Sequence, residues 1–316
     1  MSRPGDGPRP NHPHHAAPGR DTITTVPNQL AATDDDVPRV PIAPPVRRLV
    51  CVAVAAWAGL LTASLVVGAQ MSHQAFAVIT FGVQAALVVC LTWLARPSAP
   101  WIALTTGLIA AAGADIAAVY VRPLSLETLA YITAGAFGLA LLGQLVRRDG
   151  RERLTESFAV SLTVAVGAVA LAMPIALTRH NGGTQILDGC LLAAGTAVIV
   201  ARMSDATLPL PRIAPHVARG AFGVVLGAMV GTAVSAYSGV LLVGPSPARA
   251  AVAGLVVAVT AVLADLGVTY SNVARRLAGE PVAPWPVRHA LGPLLAFAFA
   301  APMAYLIGVL YLARGM

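Results

Sequence analysis

The stretch RAAVAGLVVAVTAVLADLGVTYSNVARRLAGEP, Arg249–Pro281, decides the fold. From Ala250 to Tyr270 it holds one charged residue, Asp265, and then breaks into Ser271, Arg275 and Arg276. An apolar run of that length spans a bilayer core of roughly 30 Å as a helix. An acid inside such a run is costly and usually marks a partner or a site. Eight further runs of comparable character lie at 49–69, 75–95, 101–121, 126–146, 158–178, 184–201, 220–242 and 290–312. The sixth is the shortest and is interrupted by Asp188. The pattern predicts an all-α, polytopic membrane protein with nine transmembrane helices.

Composition agrees. Of 316 residues, 57% are hydrophobic and 11% charged, and the mean hydropathy is +0.73. A soluble domain carries about a quarter charged residues. All 21 basic residues are arginine. They are scattered over loops with no aromatic-interleaved patch, so the high isoelectric point does not predict a nucleic-acid partner. Cys51, Cys90 and Cys190 fall in apolar runs without metal or disulfide spacing and read as small core residues.

Residues 1–45 are of another kind, rich in Pro, Gly, Asp and Arg, and are expected to form a disordered cytoplasmic tail. The NHPHH within it, residues 11–15, reads as incidental histidines. No apolar segment suited to a cleaved signal lies near Met1, so the first span is expected to act as the insertion signal. Residues 46–200 then form an N-terminal transmembrane bundle and 201–316 a C-terminal transmembrane region.

Arginine placement gives the expected orientation. With the N-terminus in and the C-terminus out, only Arg122, Arg179, Arg249 and Arg314 lie outside, leaving seventeen of the 21 on the cytoplasmic side. The chain is expected in the cell membrane. Gly223, Gly227 and Gly231 lie four apart on the seventh span, a spacing that lets a neighbouring helix approach closely. Pro174 is expected to kink the fifth span near its outer end. Asp115 reads as one side of a helix-to-helix hydrogen bond, and Gln84, Gln144 and Asp188 as packing or boundary residues.

Asp265 is the strongest candidate functional residue. Its alternative reading is an ion pair with an arginine of a neighbouring loop. Asp205 is placed just beyond the sixth span, where a solvated loop acid is the ordinary expectation. Together Asp205, Asp265, Arg275, Arg276, Arg288 and His289 fall on one membrane face beside spans six to nine. Two carboxylates could hold a divalent cation and the arginines a phosphate or lipid headgroup. Asp205 and Asp265 are thus the candidate metal ligands, Asp265 and His289 the candidate catalytic residues, and Arg275, Arg276 and Arg288 the candidate headgroup binders.

About the last 115 positions resemble the C-terminal half of phosphatidate cytidylyltransferase, the multi-span CDP-diacylglycerol synthase. The resemblance rests on Ser204-Asp205 at a span end, followed by IAPHVARGAFG (residues 213–223) and a Gly-rich span. It continues in Ala264-Asp265-Leu266, Ser271 and Arg275, then His289 at the family histidine's distance from that serine, then Ala300-Ala301-Pro302 in the final span. The departures are chemical. His216-Val217 stand for a Lys pair, Ala274 for a Lys, Glu280-Pro281 for Lys-Asp, and Ala290-Leu291 for paired glycines. The segment PLLAFAF, residues 293–299, holds none of the acids that the family carries there. Cytidylyl transfer needs metal-neutralised phosphates and placed cations. The resemblance therefore implies a non-catalytic relative in phospholipid or envelope metabolism, partnered by anionic lipid and by a membrane protein or a second copy. An active divergent CTP-dependent enzyme using Mg2+ is the alternative, and a transporter or membrane scaffold is the reading from another class.

Overall fold

A computed structural model describes residues 47–121, 126–146, 154–242, 245–281 and 283–313. The N-terminal tail lies outside the described residues. Among those residues the structure is all helix, without a strand: α1 Arg48–Ala69, α2 His73–Ala95, α3 Pro100–Tyr120, α4 Leu126–Val146, α5 Leu154–Leu177, α6 Gly183–Thr207, α7 Ala221–Leu241, α8 Pro247–Leu277 and α9 Trp285–Ala313. All nine are long and apolar enough to cross a membrane.

Local chemistry sets the ends. The Ser72 side chain accepts from the Ala75 N–H at the start of α2, and Pro100 opens α3 in its first turn, where its missing N–H costs nothing. Arg96 closes α2 in the left-handed region at φ 46°. α5 runs on through Pro174 for three more residues.

Three helices run beyond the apolar segments, because hydropathy reports where a helix is greasy and not where it ends. α6 reaches Thr207, so Asp205 is not a loop acid but lies buried in its last turn. α8 reaches Leu277, which makes Ser271, Arg275 and Arg276 helical. α9 starts at Trp285, so Arg288 and His289 stand in its first turns.

Cross-helix bonds at the ends fix an alternating up-and-down order. Arg275 Nη1 donates to Leu94 O at 2.5 Å, joining the last turns of α8 and α2. At the opposite end, Arg179 Nη1 donates to Ala118 O and Val121 O at the close of α3, and Tyr311 OH donates to Arg249 O. Gln70 and Asp188 pair at that end too, between α1 and α6. Among the described arginines, Arg179 and Arg249 lie there, while Arg47, Arg48, Arg96, Arg202, Arg212, Arg219, Arg275, Arg276 and Arg288 share the other end.

α6 is the central helix, with 67% of its apolar window buried against 22% for α7. The glycine row of α7 makes their contact. A Cβ on Gly223, Gly227 or Gly231 would come within 2.9, 2.5 or 2.6 Å of the carbonyl oxygens of Ala201, Ala197 and Ala193. The expected close approach is present, backbone against backbone. The outer faces of α4 and α7 show exposed Tyr131, Leu142, Val225 and Met229, as suits helices bordered by lipid. Asp115 receives a hydrogen bond from Gln84 Nε2 at 3.0 Å, the helix-to-helix bond expected of it.

Candidate functional site

At the arginine-rich end, α6 and α8 each bring one acid into the bundle, and the connection from α6 to α7 brings a cation to both. Residues 208–220 fold back on themselves: Ile213 N–H donates to Arg219 O at 3.2 Å and Ala221 N–H to Pro211 O at 2.9 Å. That return drives the Arg219 side chain inward until it is only 2% exposed. Its Nη1 lies 2.6 Å from Asp265 Oδ2, and its Nε lies 2.6 Å from Asp205 Oδ2. The second contact is a close ion pair whose angles fall outside hydrogen-bond alignment. Arg202, one turn before Asp205 on α6, pairs with the remaining Asp265 oxygen. The Gly220 N–H donates to Asp205 Oδ1 at 2.9 Å.

Two acids and two guanidiniums thus form a neutral, buried group, which is the condition for charges to persist away from water. Burial works against the charge of Arg219, but Asp265 and Asp205 more than offset it and hold its pKa above the ordinary arginine value. Arg219 Nη2 and Arg202 Nε remain without hydrogen-bond partners. Glycines close the lid. A Cβ on Gly292 of α9 would collide with Asp265 Oδ1 and reach within 3.0 Å of Arg202 Nη2, and one on Gly223 of α7 would lie 3.0 Å from Asp205 Oδ1.

Outside this group lies a ring of cations. Arg288 Nη2 is 3.3 Å from His289 Nε2. A guanidinium only donates, so Nε2 accepts and the ring is neutral with its proton on Nδ1. The same imidazole is tilted against Trp285, ring centroids 5.3 Å apart. Arg47, at the start of α1, and Arg276, at the end of α8, lie close enough for their charges to act on both Arg288 and His289. Among the described residues, Arg47, Arg276 and Arg288 have no carboxylate partner.

The structure therefore joins Asp205 to Asp265 through Arg219 and leaves His289 beside Arg202, bonded to neither acid. Arg276 and Arg288 sit at the ring. Arg275 turns away to cap the end of α2, with Glu280 4.0 Å from its Nε. Arg202 and Arg219 are the members that sequence reasoning read only as orientation signals. Their signal was present, since a buried acid such as Asp265 requires a nearby cation, yet spacing alone does not say which arginine answers.

These residues do not fit a magnesium ion. All four oxygens of Asp205 and Asp265 are already engaged, three by guanidiniums and one by a backbone N–H. A divalent ion would have to displace Arg219, and among the described residues no group of three or more His, Cys, Asp or Glu side chains could take it. What the arrangement can do is hold an anion at its cationic rim over a charge-neutral floor. Comparison with protein-family models, curated proteins and solved structures finds no match for this chain.

Proposed function

We propose that this multi-pass protein binds the phosphate-bearing headgroup of an anionic phospholipid at its arginine-rich face, as a non-catalytic relative of phosphatidate cytidylyltransferase. One observation carries the reading. Arg288 lies against His289, Arg276 and Arg47 are near enough for their charges to act on both, and none of the three has a carboxylate partner among the described residues. Three cations that repel one another at the membrane boundary are relieved by a phosphate, and guanidiniums match its oxygens in geometry as well as charge. Arginine bias supports a cytoplasmic orientation for this face, and the membrane proposed is the cell membrane. The local resemblance around Asp205, Asp265 and His289 supports the lipid class. The engagement of both acids by arginine supports the loss of catalysis.

Full-length protein with Trp57, Trp93 and Trp101 replaced by Phe, purified in neutral detergent and titrated with short-chain phosphatidic acid and with phosphatidylcholine, tests this through the fluorescence of Trp285, which lies tilted against His289. The acid lipid should bind and the zwitterionic one should not. Interfacial arginines give about 1 kcal/mol each, so the double variant Arg276→Gln/Arg288→Gln should weaken binding by roughly 30-fold. Arg275→Gln, already committed to the α2 terminus, should change it little. Equal affinity for the two lipids, or no loss in the double variant, would sink the reading.

A further inference from the structure

A second acid sits far from the arginine ring. Asp115 of α3 is 6% exposed and Gln84 of α2 fully buried. Gln84 is the midpoint of its helix, eleven residues from both His73 and Ala95, and so about 16 Å from either end. Its Nε2 donates to Asp115 Oδ1 at 3.0 Å and to Ala168 O of α5 at 3.0 Å. The pair then holds two buried acceptors with no donor, Gln84 Oε1 and Asp115 Oδ2.

No cation reaches this acid among the described residues. Of the groups on the elements packed against α3, His73 of α2 is bonded to Thr178 and Glu127 of α4 accepts from Tyr131. Glu156 stands in the first turn of α5, at the arginine-rich end, and Arg179 beyond α5 points its Nη1 at the α3 carbonyls of Ala118 and Val121. The contrast with Asp265 is complete, for that acid has two guanidiniums. An isolated carboxylate buried within a membrane bundle is very costly, and a protonated one is far less so. A single proton on Asp115 also supplies the one donor that the pair lacks.

We propose that Asp115, five residues from the Tyr120 end of α3, is a proton-binding site buried inside the bundle, held as a neutral carboxylic acid and therefore selectively modified by a hydrophobic carbodiimide. The reaction reads the protonated form. The acid O–H adds across one C=N bond of the carbodiimide, the carboxyl oxygen bonding to the central carbon and the proton passing to nitrogen. The acyl group then shifts from that oxygen to nitrogen to leave a stable N-acylurea, with nothing oxidised and nothing lost.

The full-length protein in detergent is treated with dicyclohexylcarbodiimide from acid to alkaline pH, and labelled carboxyls are located by peptide mass spectrometry. Asp115 should be labelled at acid pH about tenfold or more over Asp265, both of whose oxygens are held by the guanidiniums of Arg202 and Arg219. The label should fall as pH rises and should vanish in Asp115→Asn. In Gln84→Leu the label should persist, because the proton resides on the acid. Absence of label at Asp115 at every pH, or labelling indifferent to pH, overturns the proposal. So does suppression by sodium at constant pH, which would make the site one for a metal cation instead of a proton. Because the readout is at Asp115 in the wild-type chain, it stands or falls independently of lipid binding at the arginine ring.

Discussion

Arg219 holds Asp265 at 2.6 Å from Nη1 and reaches Asp205 on another helix at 2.6 Å from Nε, so one guanidinium ties α6 to α8. It does so from a connecting segment, so the 208–220 return cannot leave the bundle without taking from Asp205 its one cation and from Asp265 one of its two. Removing one member of a buried pair costs about 3–5 kcal/mol, because the charge left behind is uncompensated.

Asp265→Asn and Arg219→Gln should each lower unfolding free energy in detergent by that order. The double variant restores charge balance, with Asp205 and Arg202 remaining. Its loss should fall short of the sum of the singles by about 1–3 kcal/mol, as coupled neighbours do. A double-mutant cycle read by chemical unfolding decides it, and strict additivity would show that Arg219 and Asp265 do not act on each other.

The glycine row gives a second prediction with its own control. At Gly227 a Cβ would sit 2.5 Å from Ala197 O, whereas at Gly82 it would meet nothing within 4 Å. The atom in the way on α6 is backbone, which cannot swing aside. Gly227→Ala should destabilise by about 1–3 kcal/mol through overpacking. Gly82→Ala should stay within about 0.5 kcal/mol of wild type. Thermal unfolding in one detergent compares the two, and equal effects would mean that α6 and α7 are not in backbone contact.

Much of this was legible in the sequence, for a specific reason. Each helix must bury its apolar length or face it to lipid, so the nine apolar runs correspond to nine helices among the described residues, and the four-residue glycine spacing corresponds to the α7 contact. The helix ends were not legible. Asp205 looked like a loop acid because the apolar signal stops at Ala201, while the backbone continues helical to Thr207. The partners of Asp265 were hidden for a different reason. Arg219 lies 46 residues away along the chain and enters only because its segment doubles back, a tertiary event without a local signature. The bond from Arg275 to Leu94 O has no sequence signal, because it depends on where α2 ends beside it.

Orientation is the third prediction. The end carrying nine of the described arginines should face the cytoplasm. In a background where Cys51, Cys90 and Cys190 are replaced by Ala, single cysteines at exposed Ala278 and Asn181 report opposite ends of the bundle. A membrane-impermeant maleimide applied to intact cells should label Asn181→Cys and should reach Ala278→Cys only after permeabilisation. The reverse pattern would invert the molecule and move the arginine ring to the outer face.

The last prediction concerns turnover. Cytidylyl transfer from CTP to phosphatidic acid needs a metal held by carboxylates against the phosphates. Here the acids of the resembling motif give all four oxygens to Arg202, Arg219 and the Gly220 N–H. Purified protein supplied with CTP, magnesium and phosphatidic acid should therefore form no CDP-diacylglycerol above a protein-free control. Asp265→Asn is a poor check on any activity found, since the variant is expected to lose stability as well. His289→Ala is the better one, because His289 is only half-buried, touches Arg288 and Trp285, and lies outside the four-charge group. Magnesium-dependent turnover that disappears in His289→Ala, with the melting temperature unchanged, would restore the enzyme reading. It would also require Arg219 to leave the acids during the reaction.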